Sequence, residues 1–154
     1  MNFPRVYLAS GSPRRSELLA QIGIEFDKLT IDVDESRLID EMPLDYVQRI
    51  AQVKAKAGWA ALGDNELRPV IGADTSVIIG RDILGKPKNK AEAKTMLKRL
   101  SNNQHEVLTA VSLIYGEQVL TRVSYNKVTF APLTEAELDW YITTGEGEDK
   151  AGSY

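Results

Sequence analysis

A chain of 154 residues has the length of one ordinary domain, and its lack of cysteine excludes disulfides, thiolate metal sites and a cysteine nucleophile. Nineteen basic residues against twenty-two acidic ones leave a net charge of -3, so a broad basic face for nucleic acid is not expected and any anion binding must be local. No apolar stretch approaches the roughly 18–20 residues of a transmembrane helix, and nothing at the start resembles a signal peptide, so a soluble cytoplasmic protein without a membrane partner is expected.

In chain order, "RVYLA" reads as a short strand. A helix is predicted over 13–22, with Ser12 at its N-cap, Pro13 at the first helical position and Gly23 past its end. A longer helix is predicted from Pro43 to Leu62, with Leu44, Val47, Ile50, Ala51, Gly58 and Ala61 on one face. "PVIGADTSVII" reads as a buried strand, paired through "GRD" with "ILGK" as a hairpin. "NKAEAKTMLKRLS" is a helix with Ala93, Met96, Leu97 and Leu100 on one face. Two long strand-like runs, "HEVLTAVSLIYG" and "QVLTRVSYNKVTFA", break at Gly116 and form an antiparallel pair, and a last helix starts at Thr134 with a T-x-x-E capping box to Glu137. The irregular alternation fits an α/β or α+β domain with a mixed sheet.

Chemistry concentrates in a few places. Ser12-Pro13 opens a helix whose first-turn N–H groups lack intrahelical partners, which suits an anion. Arg14 and Arg15 add forks that grip phosphate oxygens bidentately. Without an anion, two such charges oppose the helix dipole, although they are also what an ordinary surface turn carries. There is no G-x-x-x-x-G-K-[ST] in the chain, so a P-loop NTPase is excluded. Lys54 falls within the apolar stripe of the second helix while Lys56 lies opposite. It reads either as a stem snorkelling to water or as an ammonium delivered to phosphate. Asp74 interrupts an otherwise apolar strand between Gly72 and Thr75. It reads as a base or metal ligand facing a cleft, or as a turn aspartate after a short strand. Glu35 ends the acidic run "DVDE", Lys86 sits in "LGKPK", and both have a solvated default. The single histidine, His105, makes no metal site and reads as structural.

Taken together, "LASGSPRRSELL", "VDE", "AQVKAKAG", "GADT" and "GKP", in this order and spacing, resemble the Maf family of nucleoside triphosphate pyrophosphatases from Tyr7 to the last residue. The resemblance implies a mixed α/β fold, with an elongated bent sheet, flanking helices and a central cleft, similar to inosine triphosphate pyrophosphatases, in one domain over 1–154. It implies that Ser10, Arg14, Arg15, Glu35, Lys54, Asp74 and Lys86 form the site, with Asp74 the proton acceptor and Arg14 and Thr75 at positions associated with specificity. The SPRR loop, "GADT" and "DKAG" look like the branch acting on dTTP and UTP. The implied reaction is hydrolysis of a nucleoside triphosphate to the monophosphate and pyrophosphate, a house-cleaning activity. Glu35 and Asp74 would hold Mg²⁺ or Mn²⁺, while Arg14, Arg15, Lys54 and Lys86 would hold the phosphates. A homodimer is the implied assembly. Rival readings are a nucleotide-binding regulatory protein of cell division without turnover and a nucleotidyltransferase with an acceptor substrate. The family pattern runs on for some tens of residues past "DKAGSY" through a Gly-Ile-Gln-Gly segment and closing strands, so a domain truncated at its C-terminus is expected here.

Overall fold

The computed structural model describes residues 3–154. Its elements are β1 (Val6–Leu8), α1 (Pro13–Gln21), β2 (Phe26–Lys28), α2 (Pro43–Ala60), β3 (Val70–Ile79), β4 (Asp82–Leu84), α3 (Lys90–Leu100), β5 (Gln104–Tyr115), β6 (Gln118–Thr129) and α4 (Glu135–Thr144), followed by a 3₁₀ turn at Ala151–Ser153. The strand order is β2-β1-β3-β5-β6, with β4 paired to β3. β1 runs parallel to both β2 and β3, whereas β3 and β4 are antiparallel, so the sheet is open and mixed as expected. The two-residue connection between the neighbouring strands β5 and β6 makes that pair antiparallel.

The chain divides into two compact units. The first comprises the residues up to Glu41, Asp45–Asp74 and Ala110–Val123, and the second comprises Met42–Leu44, Thr75–Thr109 and Ser124–Tyr154. In the first unit, α1 begins at Pro13 with Ser12 at the N-cap, as its sequence dictates, and the chain turns away at Gly23 with φ 72°. Packed around β1 and β3 are Tyr7, Ala9, Val70 and Leu62, with Leu29, Ile31 and Trp59 against them. The face of α2 is the predicted one through Val47, Ile50, Ala51 and Gly58, and Ala55 joins it. Ala61 departs from the prediction: the helix stops at Ala60, and the following turn exposes Ala61 and buries Leu62.

Gly72 governs how α2 lies on β3. A Cβ at this position would stand 2.5 Å from the Ala51 carbonyl oxygen and 2.9 Å from the Ala55 Cα, so helix backbone and strand backbone touch there with no room for a side chain. β2 is a strand that periodicity does not reveal, because "FDK" has no alternating apolar run. It forms because parallel pairing with β1 uses backbone groups, and because Asp27 is clasped by Arg5 (Nε to Oδ2, 2.9 Å; Nη2 to Oδ1, 2.7 Å) and by Arg68 Nη1 (2.8 Å). Those two guanidiniums, Arg5 foremost, hold the Asp27 carboxyl down to about 2.

The second unit follows its sequence closely. β3 turns through Gly80, at φ 63°, into β4 with Ile79 opposite Asp82. Asn89 caps α3 by accepting the Glu92 N–H at 2.8 Å, and the helix buries Ala93, Met96, Leu97 and Leu100. Thr134 and Glu137 complete the capping box of α4. His105 is structural, as expected: its Nε2 lies 2.6 Å from Tyr154 Oη, its ring stands edge-on to Phe130, and burial lowers its pKa.

Two outcomes are expected from these contacts. Gly72→Ala should destabilise the protein by about 3 kcal/mol, the upper end for overpacking, because backbone on both sides must move; a urea unfolding midpoint close to that of the unsubstituted chain would refute this. Asp27 has a depressed native pKa, so its clasp stabilises fully above the ordinary aspartate value of about 3.9 and is lost as pH falls through about 2. Asp27→Asn should therefore lower the midpoint at neutral pH, with the difference shrinking as the pH is taken below about 4.

Candidate functional site

The opening loop of the first unit is organised by a single hydroxyl. Ser10, two residues past β1 and 7% exposed, accepts the Ser12 N–H at 3.2 Å and an Arg15 Nη1–H at 3.2 Å. The turn thus carries its own hydrogen bonds into the helix start, and the Ser12 side chain makes no cap. Arg15 sits in the first turn of α1, half-buried, and burial lowers its pKa while Asp74 and Glu35 oppose that shift and Arg14 adds to it. Arg14 is exposed on the same turn. A guanidinium kept partly dry beside a second one is a poor resting arrangement and a good anion grip.

Lys54 decides between its two readings by geometry. Its ammonium lies 2.5 Å from Glu35 Oε1 and 3.1 Å from Asp74 Oδ1, with the lysine side chain 14% exposed and that of Asp74 11% exposed. It does not snorkel. One cation is shared by two carboxylates, one from the irregular loop before α2 and one from the middle of β3, so Asp74 is a strand residue and not a turn aspartate. The alternation of β3 turns Thr75 to the other face from Asp74, where its hydroxyl pairs with Thr109 at 3.0 Å within the second unit. Lys86 also belongs to the second unit, exposed in the loop after β4. Ser10, Arg15, Glu35, Lys54 and Asp74 are gathered within the first unit.

Two residues near this cluster escaped the reading of the sequence. Tyr46 Oη donates to the Glu35 carbonyl at 2.8 Å, and Arg49 Nη2 donates to the Ser36 carbonyl at 2.9 Å. Burial, followed by the charges of Asp74 and Glu35, pushes the Tyr46 hydroxyl up to about 12, so it remains a donor. A tyrosine and an arginine three positions apart on a helix resemble ordinary boundary residues, and only the fold shows that they reach the acidic loop.

The pairing of Glu35 and Asp74 on one cation also bears on metal binding. Among the described residues no group of three or more His, Cys, Asp or Glu could hold a metal ion. Two carboxylates with a common cationic partner still suit a small hard cation that takes its remaining oxygens from substrate phosphate and water. A divalent ion at these two carboxylates would have to displace Lys54 from them or share them with it.

The pattern described as Maf-like protein matches residues 5–154. The chain belongs to the Maf family. Curated Maf relatives named dTTP/UTP pyrophosphatase include one from Pseudoalteromonas translucida, 50% identical over 149 residues, which are 97% of this chain and 78% of the relative. Another from Aliivibrio fischeri is 47% identical over 97% of this chain and 80% of its own length, and one from Escherichia coli is 43% identical over 97% and 75%. Among solved structures, the Staphylococcus aureus Ham1 protein shares the fold with a TM-score of 0.54 at 17% identity, covering 81% of this chain and 70% of that one. No helix among the described residues is long and apolar enough to cross a membrane.

Replacing Lys54 tests the shared-cation geometry directly. Lys54→Met should destabilise the protein by about 1–3 kcal/mol, because the mostly buried Asp74 carboxylate loses a charged partner, and adding Asp74→Asn should restore part of that loss. Equal thermal midpoints for Lys54→Met and the unsubstituted chain would show that the pair contributes nothing.

Proposed function

We propose that this Maf protein hydrolyses nucleoside triphosphates, dTTP and UTP foremost, to the monophosphate and pyrophosphate. The observation that carries the reading is Lys54 held between Glu35 and Asp74, beside an opening loop in which Ser10 fixes Arg15. The names of relatives at 43–50% identity support the choice of nucleotides, as do the SPRR loop and "GADT".

In this proposal the triphosphate lies against the start of α1, where the helix N-terminus and the guanidiniums of Arg14 and Arg15 neutralise phosphate oxygens. Lys54 exchanges part of its carboxylate contact for phosphate, which adds positive charge where the polyphosphate needs it. Asp74, fixed in the middle of β3, accepts a proton from a water aimed at the α-phosphorus. The water oxygen bonds to that phosphorus as the bond to the bridging oxygen breaks, and the electron pair leaves with pyrophosphate. Glu35 and Asp74 would hold Mg²⁺ or Mn²⁺, which supplies charge neutralisation to the phosphates when bound. Lys86 is assigned to phosphate, and Thr75 with Arg14 to base selection, on the family resemblance. The proposal also includes a cytoplasmic location and no nucleic-acid partner, on the composition and net charge, and a homodimeric assembly, as the family resemblance implies.

The test is a panel of nucleoside triphosphates with pyrophosphate detection. dTTP and UTP should turn over fastest, and Asp74→Asn should lower kcat by at least about 10²-fold, the lower range for loss of an acid–base group, with a thermal midpoint close to that of the unsubstituted protein. Nucleotide binding without pyrophosphate release by the unsubstituted chain would replace the enzyme with a regulatory binding protein.

A further inference from the structure

Glu35 is only weakly restrained by its own side chain, which is 52% exposed. An ion pair with that much water access holds a side chain weakly. The loop that carries it, from 30 to 38, has no regular secondary structure, and it also carries Asp32 and Asp34. Left to itself, such an acidic loop would move away from Asp74 and into solvent. Its position must come from the backbone.

The backbone is gripped at two consecutive carbonyls. Tyr46 takes the carbonyl of Glu35 at 2.8 Å and Arg49 takes that of Ser36 at 2.9 Å. Arg49 meanwhile closes a two-point clasp on the Glu41 carboxylate (Nε to Oε1, 2.5 Å; Nη2 to Oε2, 2.9 Å), and Glu41 accepts the Leu38 N–H at 3.1 Å. The Glu41 side chain is only 7% exposed and that of Arg49 is 28% exposed, so this is not a solvated surface pair. Both gripping residues stand on α2, the helix that also carries Lys54. One rigid rod therefore sets the distance between the Glu35 backbone and the ammonium that its carboxylate must meet.

We infer that Tyr46 and Arg49 are positioning residues that hold the Glu35 carboxylate against Lys54 by fixing the 35–36 backbone to α2. This rests on the pyrophosphatase reading of the same site. Their contacts are with the loop backbone at 35 and 36 and with Glu41, so they act through Glu35. Glu41 is the counter-charge that orients Arg49, and a lysine at 49 would have one point charge in place of the fork needed to serve Glu41 and the Ser36 carbonyl together.

The experiment combines steady-state kinetics on dTTP, thermal unfolding and amide hydrogen exchange for the full chain and its Tyr46→Phe and Arg49→Lys variants. Each should lower kcat between about tenfold and about a hundredfold, the scale for a displaced catalytic group, while KM and the unfolding midpoint change little. In a Glu35→Ala background, where no carboxylate remains to be positioned, adding Tyr46→Phe should leave kcat within about twofold, since effects acting through one residue do not add. Should the Glu35→Ala rate fall below detection, exchange decides: in Arg49→Lys the Ser36–Glu41 amides should exchange faster, while those of Ile50, Ala51 and Ala55 stay protected. Unchanged kcat in both variants, losses that add fully to Glu35→Ala, or unaltered exchange over 36–41 would each overturn the positioning role. Absence of turnover in the unsubstituted protein would instead overturn the pyrophosphatase reading, and the inference with it. Normal turnover that falls on Glu35→Ala but not on Tyr46→Phe or Arg49→Lys would overturn the inference alone.

Discussion

The arrangement of the first unit depends on a missing side chain. At Gly72 the backbone of β3 meets the backbone of α2 at Ala51 and Ala55, and nothing larger than hydrogen fits between them. Small residues on both sides let the helix lie directly on the strand, and Gly58 leaves room for the side chains of Ala9 and Val70. That closeness has a chemical consequence. Lys54, one residue before Ala55, meets Asp74, two residues after Gly72, at 3.1 Å. The apolar contact and the charged contact are neighbouring parts of one helix–strand seam.

Placing charges at the edge of such a seam resolves a conflict between burial and chemistry. A carboxylate in the middle of an apolar strand is costly unless a cation and hydrogen bonds accompany it. Lys54 answers that need for Asp74 and also pairs with the half-exposed Glu35. Arg15, whose pKa burial lowers, is sustained in its charged form by the same two carboxylates. The resting site is therefore a small mixed cluster in a chain of net charge -3. In the proposed reaction, a phosphate at the helix start would offer these cations more negative charge than the carboxylates beside them.

The fold itself is less particular than the site. The Staphylococcus aureus Ham1 protein has the same architecture at 17% identity, which leaves few side chains in common. Function therefore has to be argued from side chains rather than from the sheet. Here the proposed function rests on residues that a sheet of this kind does not itself require: the arginines of α1, the lysine of α2 and the aspartate of β3.

Much of this was legible in the residues. Ser12-Pro13 and Gly23 bound α1, Thr134 with Glu137 starts α4, and the four apolar positions of α3 are those it buries, because capping and helical periodicity are local properties carried by neighbouring residues. Lys54 and Asp74 stood out because each breaks an apolar pattern, and a broken pattern is visible without a fold. β2 was not legible, since its three residues become a strand only when β1 offers an unpaired edge and Arg5 and Arg68 neutralise Asp27. Tyr46 and Arg49 were not legible either, because each is an ordinary residue for a helix boundary, and their targets are backbone carbonyls whose position no side-chain pattern encodes. The sequence alone determined which residues carry charge where apolar ones belong, along with the starts and faces of the helices that bear them. Only tertiary structure decided that Lys54 faces two carboxylates rather than water, because pairing between distant residues depends on how closely a helix and a strand can approach, and here a glycine makes that approach possible.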